Sequence, residues 1–268
     1  MRTIIRRRTA EHKEAEQNYL TFVMTSSGSF NFGKVGNVTK NISYSVNGAQ
    51  WVEVECGSTG STILGLHAGD KIRAKGTNAS YGTDVDNYIK ITGLGETTFD
   101  IYGNIMSLVY GDNFKDKTSF TENGVFWLLF YQSTVGSAEN LILPATTLTE
   151  DCYRAMFSSS TLAVPPQILP ATTLGARCYK YMFNATSITA SPYLPDATTA
   201  TDCYDNMFTN AASLASVTCL QSTTFTEAEN WLSGCPNTSD CTFTKAAGAS
   251  WGRNASGIPD QWTVIEAA

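Results

Sequence analysis

The chain has 268 residues, of which 42% are hydrophobic and only 16% are charged. An apolar share of this size is enough for a packed core and excludes general disorder. The net charge of −6 excludes binding of nucleic acid over the whole surface. With so few charges, the surface must consist mainly of Ser, Thr, Asn and Gly, which suits a rigid extracellular or virion protein better than a cytosolic enzyme.

Residues 1–17 form a polar, charged arm that precedes an acidic body. The basic residues of this arm include Arg2, Arg6, Arg7 and Arg8. A charge run at a terminus is often only a solvated, floppy segment. The functional alternative is an anchor that becomes ordered on a partner, and we expect the arm to attach the protein to capsid or tail proteins.

The pattern at the start of the chain does not predict a signal peptide. Arg6, Arg7 and Arg8 stand where such a peptide needs an apolar run, and no stretch approaches the roughly 20 apolar residues of a membrane helix. We therefore expect a chain that is not exported by the ordinary route and does not insert into a membrane.

The seven cysteines include no CxxC pair, which excludes zinc-ribbon and thioredoxin-like sites. Cys152, Cys178 and Cys203 recur at one position of a repeat, and we expect them to pack as small hydrophobes in the core. A disulfide between Cys235 and Cys241 is compatible with the sequence but not required by it. We expect most of the thiols to be reduced.

Residues 18–104 alternate apolar and polar side chains in six or so short segments. Residues 19–24 and 98–101 are two of them, and Asn47-Gly48 is the signal of a tight hairpin. Short strands at such close spacing predict a small β-sandwich.

From about residue 125 onward, the chain repeats with a period of 25–26 residues. Each unit contains a Leu-Pro step, a Thr-rich step, a Cys-Tyr pair and a Met-Phe pair. The predicted core positions of the repeats are Cys152, Tyr153, Met156, Phe157, Cys178, Tyr179, Met182, Phe183, Cys203, Tyr204, Met207 and Phe208. A period in the twenties is typical of a solenoid, in which each unit buries its apolar stripe on the next.

The spacing within one unit indicates a short helix. Thr149 suits the N-cap, and Cys152, Met156 and Phe157 fall at i, i+4 and i+5, which places them on one helical stripe. The Leu-Pro step would end a short strand.

These patterns together predict a mixed α/β and all-β protein. A β-sandwich over residues 18–104 is followed by a solenoid of strand plus short helix over residues 105–245. A Trp-rich C-terminal cap follows over residues 246–268.

The repeats resemble the BspA-like leucine-rich repeat family in degenerate form. The Leu-Pro step, the Thr-rich step and the segment ending in Phe match, and a Ser-Leu-like step follows at 161–162, 187–188 and 213–214. The cysteine that usually follows the Phe is absent. The resemblance covers about residues 125–232, while residues 19–22 and 103–108 resemble modular proteins of gut Bacteroidales and their phages. In such proteins, the resemblance of the repeats implies adhesion or recognition rather than catalysis.

The sequence contains few residues suited to catalysis or metal binding. His12 lies in the arm and His67 in a predicted turn, and neither has a nucleophile at a suitable spacing. Residues 57–62 lack the Lys of a phosphate loop, and residues 84–87 lack the Gly and distal Glu of a calcium loop. We expect no enzymatic activity, no cofactor and no metal.

One repeat position varies while the core positions stay fixed. It holds Arg154, Lys180 and Asp205, which we interpret as a candidate exposed display face.

We predict a phage structural protein located in the virion, a head or tail fibre or decoration protein. It would bind a host surface protein or glycan and form a homotrimer. The alternative is a BspA-like adhesin on a bacterial cell surface, which would need an export signal.

Overall fold

A computed structural model describes residues 18–222 and 227–267. The arm with Arg2, Arg6, Arg7 and Arg8 lies outside the described residues, so its role as an anchor stays a prediction. Within the described part of the chain, no helix combines the length and apolarity needed to cross a membrane.

Short strands make up most of the regular structure. They are β1 (Leu20–Met24), β2 (Gly28–Val35), β3 (Asn41–Val46), β4 (Val52–Glu55), β5 (Thr62–Leu66), β6 (Lys71–Lys75), β7 (Gly82–Asp84), β8 (Asn87–Leu94), β9 (Phe99–Asn104), β10 (Asn140–Ile142), β11 (Ala190–Leu194), β12 (Ser216–Cys219), β13 (Thr242–Lys245) and β14 (Thr263–Glu266). One helical turn, α1 (Ser107–Tyr110), follows β9.

The N-terminal strands form two sheets that face each other. One has the order β10-β9-β1-β6-β3-β4, and the other has the order β5-β2-β8-β7. Phe22 of β1 meets Phe30 and Phe32 of β2, with ring centroids 4.8 and 5.9 Å apart. Alternation of buried and less buried side chains along strands such as β6 and β9 contributes to this shared apolar layer.

Both predicted domain boundaries after residue 18 fall inside continuous sheets. β10 pairs in parallel with β9, so the first sheet continues past residue 104. β14 pairs in parallel with β13 in the sheet β11-β12-β13-β14, which crosses residue 245.

The predicted solenoid of strand plus short helix is wrong. Strands make up 32% of the structure and helices 4%, and α1 lies before the repeats. The segments expected to be helical, such as residues 150–159, are unbroken runs of turns. The mixed α/β leucine-rich-repeat assignment is therefore replaced by a β-rich fold with turn segments.

Backbone hydrogen bonding explains why these segments are not helices. Tyr153 donates its N–H to the carbonyl of Cys178 in the next repeat at 3.0 Å, whereas Arg154 donates to Asp151 of its own repeat at 3.2 Å. An α-helix would keep every such bond within one segment. Every second residue donates its backbone N–H to a carbonyl of the next repeat in the same way, namely Asp151, Tyr153, Ala155, Phe157, Ser159, Arg177, Tyr179, Tyr181, Phe183 and Ala185.

Every fourth residue of these runs has a left-handed backbone. Ala155, Tyr181 and Asn206 occupy equivalent positions and have φ of 51°, 60° and 53°. A left-handed residue other than glycine costs roughly 1–2 kcal/mol, which the hydrogen bonds and packing between repeats must offset. The side chains consequently follow a period of four, two inward and two outward, instead of the 3.6 of a helix.

A column of aromatic rings runs through the repeats from the N-terminal sheets. Tyr81, Phe126, Tyr153, Tyr179 and Tyr204 stack in sequence with centroids 5.7–6.0 Å apart. Such offset stacks add to the energy gained from burial alone.

A second column is built from phenylalanines. It runs from Phe130 through Phe157 and Phe183 to Phe208, with successive centroids 5.3, 5.7 and 5.7 Å apart. Phe22 of β1 meets Phe130 edge-on at 6.3 Å. Trp231 contacts the last ring of each column. One apolar core therefore extends from the N-terminal sheets to the last described repeats.

Candidate recognition site

The twelve residues assigned to the repeat core are all buried, and none is more than 2% exposed. Their side chains form the stacked interior of the repeats. They hold the fold together and are not accessible to a ligand in this structure.

The position assigned to a display face carries ion pairs between repeats. Lys180 Nζ lies 2.9 Å from Asp202 Oδ2 and 3.3 Å from Asp205 Oδ2. Asp205 also accepts the N–H of Glu229 at 2.7 Å and is only 5% exposed. The expectation that Arg154, Lys180 and Asp205 are exposed is therefore corrected. Asp205 is buried between both neighbouring repeats, and Arg154 and Lys180 are half-buried.

Asp151 links two repeats on the same side of the stack. Arg177 donates to both of its carboxylate oxygens, at 3.0 and 2.9 Å, and Arg154 donates at 3.2 Å. The bonds to Asp151 raise the pKa of the Arg177 guanidinium. The Arg154 guanidinium also covers the ring of Trp127 at 4.7 Å. These charges are largely neutralised within the protein, which weakens the case for a display face here.

Threonines line another side of the repeats. Thr146, Thr172 and Thr198 are exposed and joined by backbone bonds, since Thr172 donates to Thr146 at 3.0 Å and Thr198 donates to Thr172 at 2.8 Å. This face presents an uncharged row of hydroxyls.

The residues considered for catalysis or metal binding lie apart from one another. The His67 side chain is 81% exposed, and its Nδ1 lies 3.9 Å from Asp70 Oδ2. Asp84 accepts the N–H of Asp86 and the amide of Asn87 within its own loop. Over residues 18–222 and 227–267, no three His, Cys, Asp or Glu side chains are grouped so that they could hold a metal ion.

The structure reveals a polar pocket on the outer face of the six-stranded sheet. It has a volume of about 290 Å³, and its lining includes Asn41, Ser43, Glu53, Lys75, Asp112 and Asn113. We call it the Lys75 pocket. Strand register builds it, because Ser43 of β3 lies opposite both Glu53 of β4 and Lys75 of β6.

A hairpin turn places Trp51 next to this pocket. Asn47 and Gly48 have φ of 50° and 81°, the pair of left-handed residues that a type I′ turn requires. The chain then returns through Trp51 into β4. Lys75 Nζ lies 4.6 Å from the centre of the Trp51 ring, and the Arg73 guanidinium lies 5.3 Å from it.

Asp112 fixes the position of Lys75. The ammonium of Lys75 donates to both oxygens of Asp112, at 2.8 and 3.0 Å, and the Tyr19 hydroxyl donates at 2.7 Å. These bonds, led by that from Lys75, lower the pKa of the Asp112 carboxyl. Burial and the bond to Asp112 raise the pKa of Tyr19. The pocket therefore holds a carboxylate and an ammonium in fixed positions.

Glycine at position 76 is a steric requirement of the pocket. A Cβ there would lie 2.5 Å from Tyr81 Oη and 2.8 Å from the carbonyl of Leu108. Gly111 donates its N–H to Gly76 at 2.8 Å, and this contact brings the turn with Asp112 alongside β6.

Sequence reasoning missed the Lys75 pocket. Asn47-Gly48 followed by Trp51 was its available signal, since a tight turn places an aromatic residue at the start of a strand. Asp112 lies 37 residues after Lys75 in the chain, and no local sequence pattern shows that the two side chains meet.

Comparison with known proteins gives no relative on which to base an assignment. No family model, no curated protein and no solved structure matches the chain.

Proposed function

We propose that the protein is a non-catalytic structural protein of a phage virion, a head or tail fibre or decoration protein that binds the host surface. The observation that carries this proposal is the single core that joins the N-terminal sheets to the stacked repeats. A stack in which each repeat is hydrogen-bonded to its neighbours suits a stiff support better than an enzyme with moving parts.

The character of the surface supports a role in recognition. The repeats present exposed threonines, and their charged residues include ion pairs between neighbours such as Lys180 and Asp202. The Lys75 pocket adds a concave polar site next to an aromatic ring. Small-ligand pockets usually combine an apolar lining with a few fixed polar groups, so the largely polar lining of this pocket favours a polar ligand.

Attachment and assembly complete the proposal. Arg2, Arg6, Arg7 and Arg8 of the arm would bind capsid or tail proteins, and three copies would assemble side by side. Light scattering on the full chain tests the trimer, because a monomer at high concentration would contradict it.

The location of the protein tests the proposal directly. Virions and host envelopes from the source culture are purified, and the protein is quantified in both by mass spectrometry. Enrichment in virions at a countable number of copies per particle is expected. Enrichment in the envelope with none in virions would overturn the proposal.

A variant with Arg6, Arg7 and Arg8 each changed to Glu tests the arm. It should lose incorporation into virions, whereas Lys115→Glu, a charge reversal at an exposed position of the body, should not.

A further inference from the structure

We infer that the Lys75 pocket binds a neutral saccharide, with one sugar ring in the pocket and the adjoining part of the saccharide against Trp51, which lies beside it. This inference deepens the proposed function and rests on it for biological context. Its chemical content concerns only the pocket.

The pocket offers both donors and acceptors at fixed positions. Glu53 and Asp112 contribute carboxylate oxygens, and Asn113 contributes an amide. Glu53 is itself positioned by a hydrogen bond from Asn41 Nδ2 at 3.0 Å. Each sugar hydroxyl both donates and accepts hydrogen bonds, so a ring that carries several of them matches a mixed lining.

The charge of the pocket opposes an anionic ligand. Two carboxylates, Glu53 and Asp112, face a single ammonium, that of Lys75, which Asp112 already pairs at 2.8 Å. Within the lining, a phosphate or a sialic acid would meet an excess of negative charge, since Arg73 lies outside it and donates to Ser45 Oγ at 3.2 Å. The hydroxyls of a neutral sugar meet no such repulsion.

Trp51 lies beside the pocket, outside its lining, and offers an apolar surface at its edge. Its ring is half-buried, lies edge-on to Tyr19 at 5.1 Å and is held by the two cations of β6. An aromatic ring fixed in this way can pack against the C–H face of a sugar without losing further freedom. The volume of about 290 Å³ lies at the lower end for small-ligand pockets, which suits one ring rather than a folded partner.

The test uses the full-length chain and an array of neutral oligosaccharides with their sialylated counterparts. We expect binding to a subset of the neutral ones. Titration calorimetry with the best of them then compares variants. Glu53→Gln and Trp51→Ala should each weaken binding about tenfold or more, since each removes a charge-assisted bond or the stacking surface.

Glu55→Gln is the matched control, because Glu55 lies on the same strand, is exposed and pairs with Lys34 at 3.2 Å outside the pocket. It should change the affinity less than twofold. The urea midpoint of each variant separates loss of binding from loss of folding. Unchanged affinity in folded Glu53→Gln and Trp51→Ala, or an array on which no neutral oligosaccharide binds, would overturn the inference.

The two proposals fail separately. The location experiment bears on the virion assignment alone, whereas the variant series bears on the pocket alone.

Discussion

The rings of Tyr153 and Tyr179 stack with their centroids 6.0 Å apart and their planes within 5° of parallel. Tyr153 is completely enclosed, yet within the described chain its hydroxyl has no hydrogen-bond partner. At the start of the same column, Tyr81 donates its hydroxyl to the carbonyl of Leu108 at 2.7 Å. The column therefore depends on the shape of the Tyr153 ring and not on its hydroxyl.

Tyr153→Phe should raise the free energy of unfolding. A buried hydroxyl without a partner costs about 1–3 kcal/mol in desolvation, and Phe keeps the stack. Urea denaturation measures the change. Tyr81→Phe is the matched control and should lower stability by about 1–2 kcal/mol, because it leaves the Leu108 carbonyl unpaired. Equal losses in both variants would show that the Tyr153 hydroxyl is bonded after all.

The sign of the stability change caused by Ala185→Gly distinguishes the observed run of turns from a helix. Ala185 is exposed and has φ of 52°, where glycine relieves roughly 1 kcal/mol of strain. At a helical position the same change would destabilise by about the same amount. Thermal or urea unfolding should show a gain in stability.

Ala163→Gly serves as its control, since Ala163 is also exposed and is not among the residues with positive φ. It should lose about 0.5–1 kcal/mol. A loss of stability in Ala185→Gly would contradict the left-handed conformation at that position.

The repeat period could be read from the sequence because it is a property of the sequence itself. Cys-Tyr and Met-Phe return every 25–26 residues, and the structure stacks them on one another. The helix prediction failed because Cys152, Met156 and Phe157 fit a helical stripe as well as a period of four. Including Tyr153 does not distinguish the two, because i, i+1, i+4 and i+5 also fall on one broad helical stripe over so short a run.

Other features depended on contacts that the sequence does not display. Arg154, Lys180 and Asp205 look like a variable surface when each repeat is viewed alone. Their partners sit in neighbouring repeats, as with Lys180 and Asp202, so their burial appears only when the repeats are stacked. The Lys75 pocket is hidden for the same reason, because β4, β6 and the turn with Asp112 are far apart in the chain.

Asp151→Asn should destabilise the stack of repeats. Asp151 is buried and accepts two bonds from Arg177 and one from Arg154. Losing its charge weakens these bonds, and because Arg177 is about one-third exposed, water reduces the loss to about 1–2 kcal/mol.

Glu150→Gln removes a second, more exposed carboxylate that pairs with Arg177. It should lower the free energy of unfolding by less than about 0.5 kcal/mol. Urea denaturation at low and high salt measures both variants, and the Asp151 effect should persist at high salt because burial limits screening. An equal cost for the two variants would contradict the central role of Asp151.

The buried thiols should make the protein lose stability at alkaline pH. Burial raises the pKa of Cys56 and of Cys203 to about 12, whereas an unfolded thiol ionises near 8.5. Between these values the unfolded state releases protons that the folded state keeps, so the stabilisation is full below about pH 8.5 and falls as the pH rises to about 12. Cys203→Ala should make this fall less steep, as measured by urea midpoints from pH 8 to 11.

Thiol labelling provides an independent check on the same burial. All seven cysteines are free, and Cys235 alone is half-buried while the others are buried. With iodoacetamide at pH 8.5, Cys235 should react first in the native protein because it is the most accessible thiol, but slowly, because burial raises its pKa to about 12. All seven should react in urea, since the thiolate is the attacking form and needs access. Rapid labelling of Cys152 or Cys178 in the native protein would mean that the stacked core opens. The loss of stability at alkaline pH would then not be due to buried thiols.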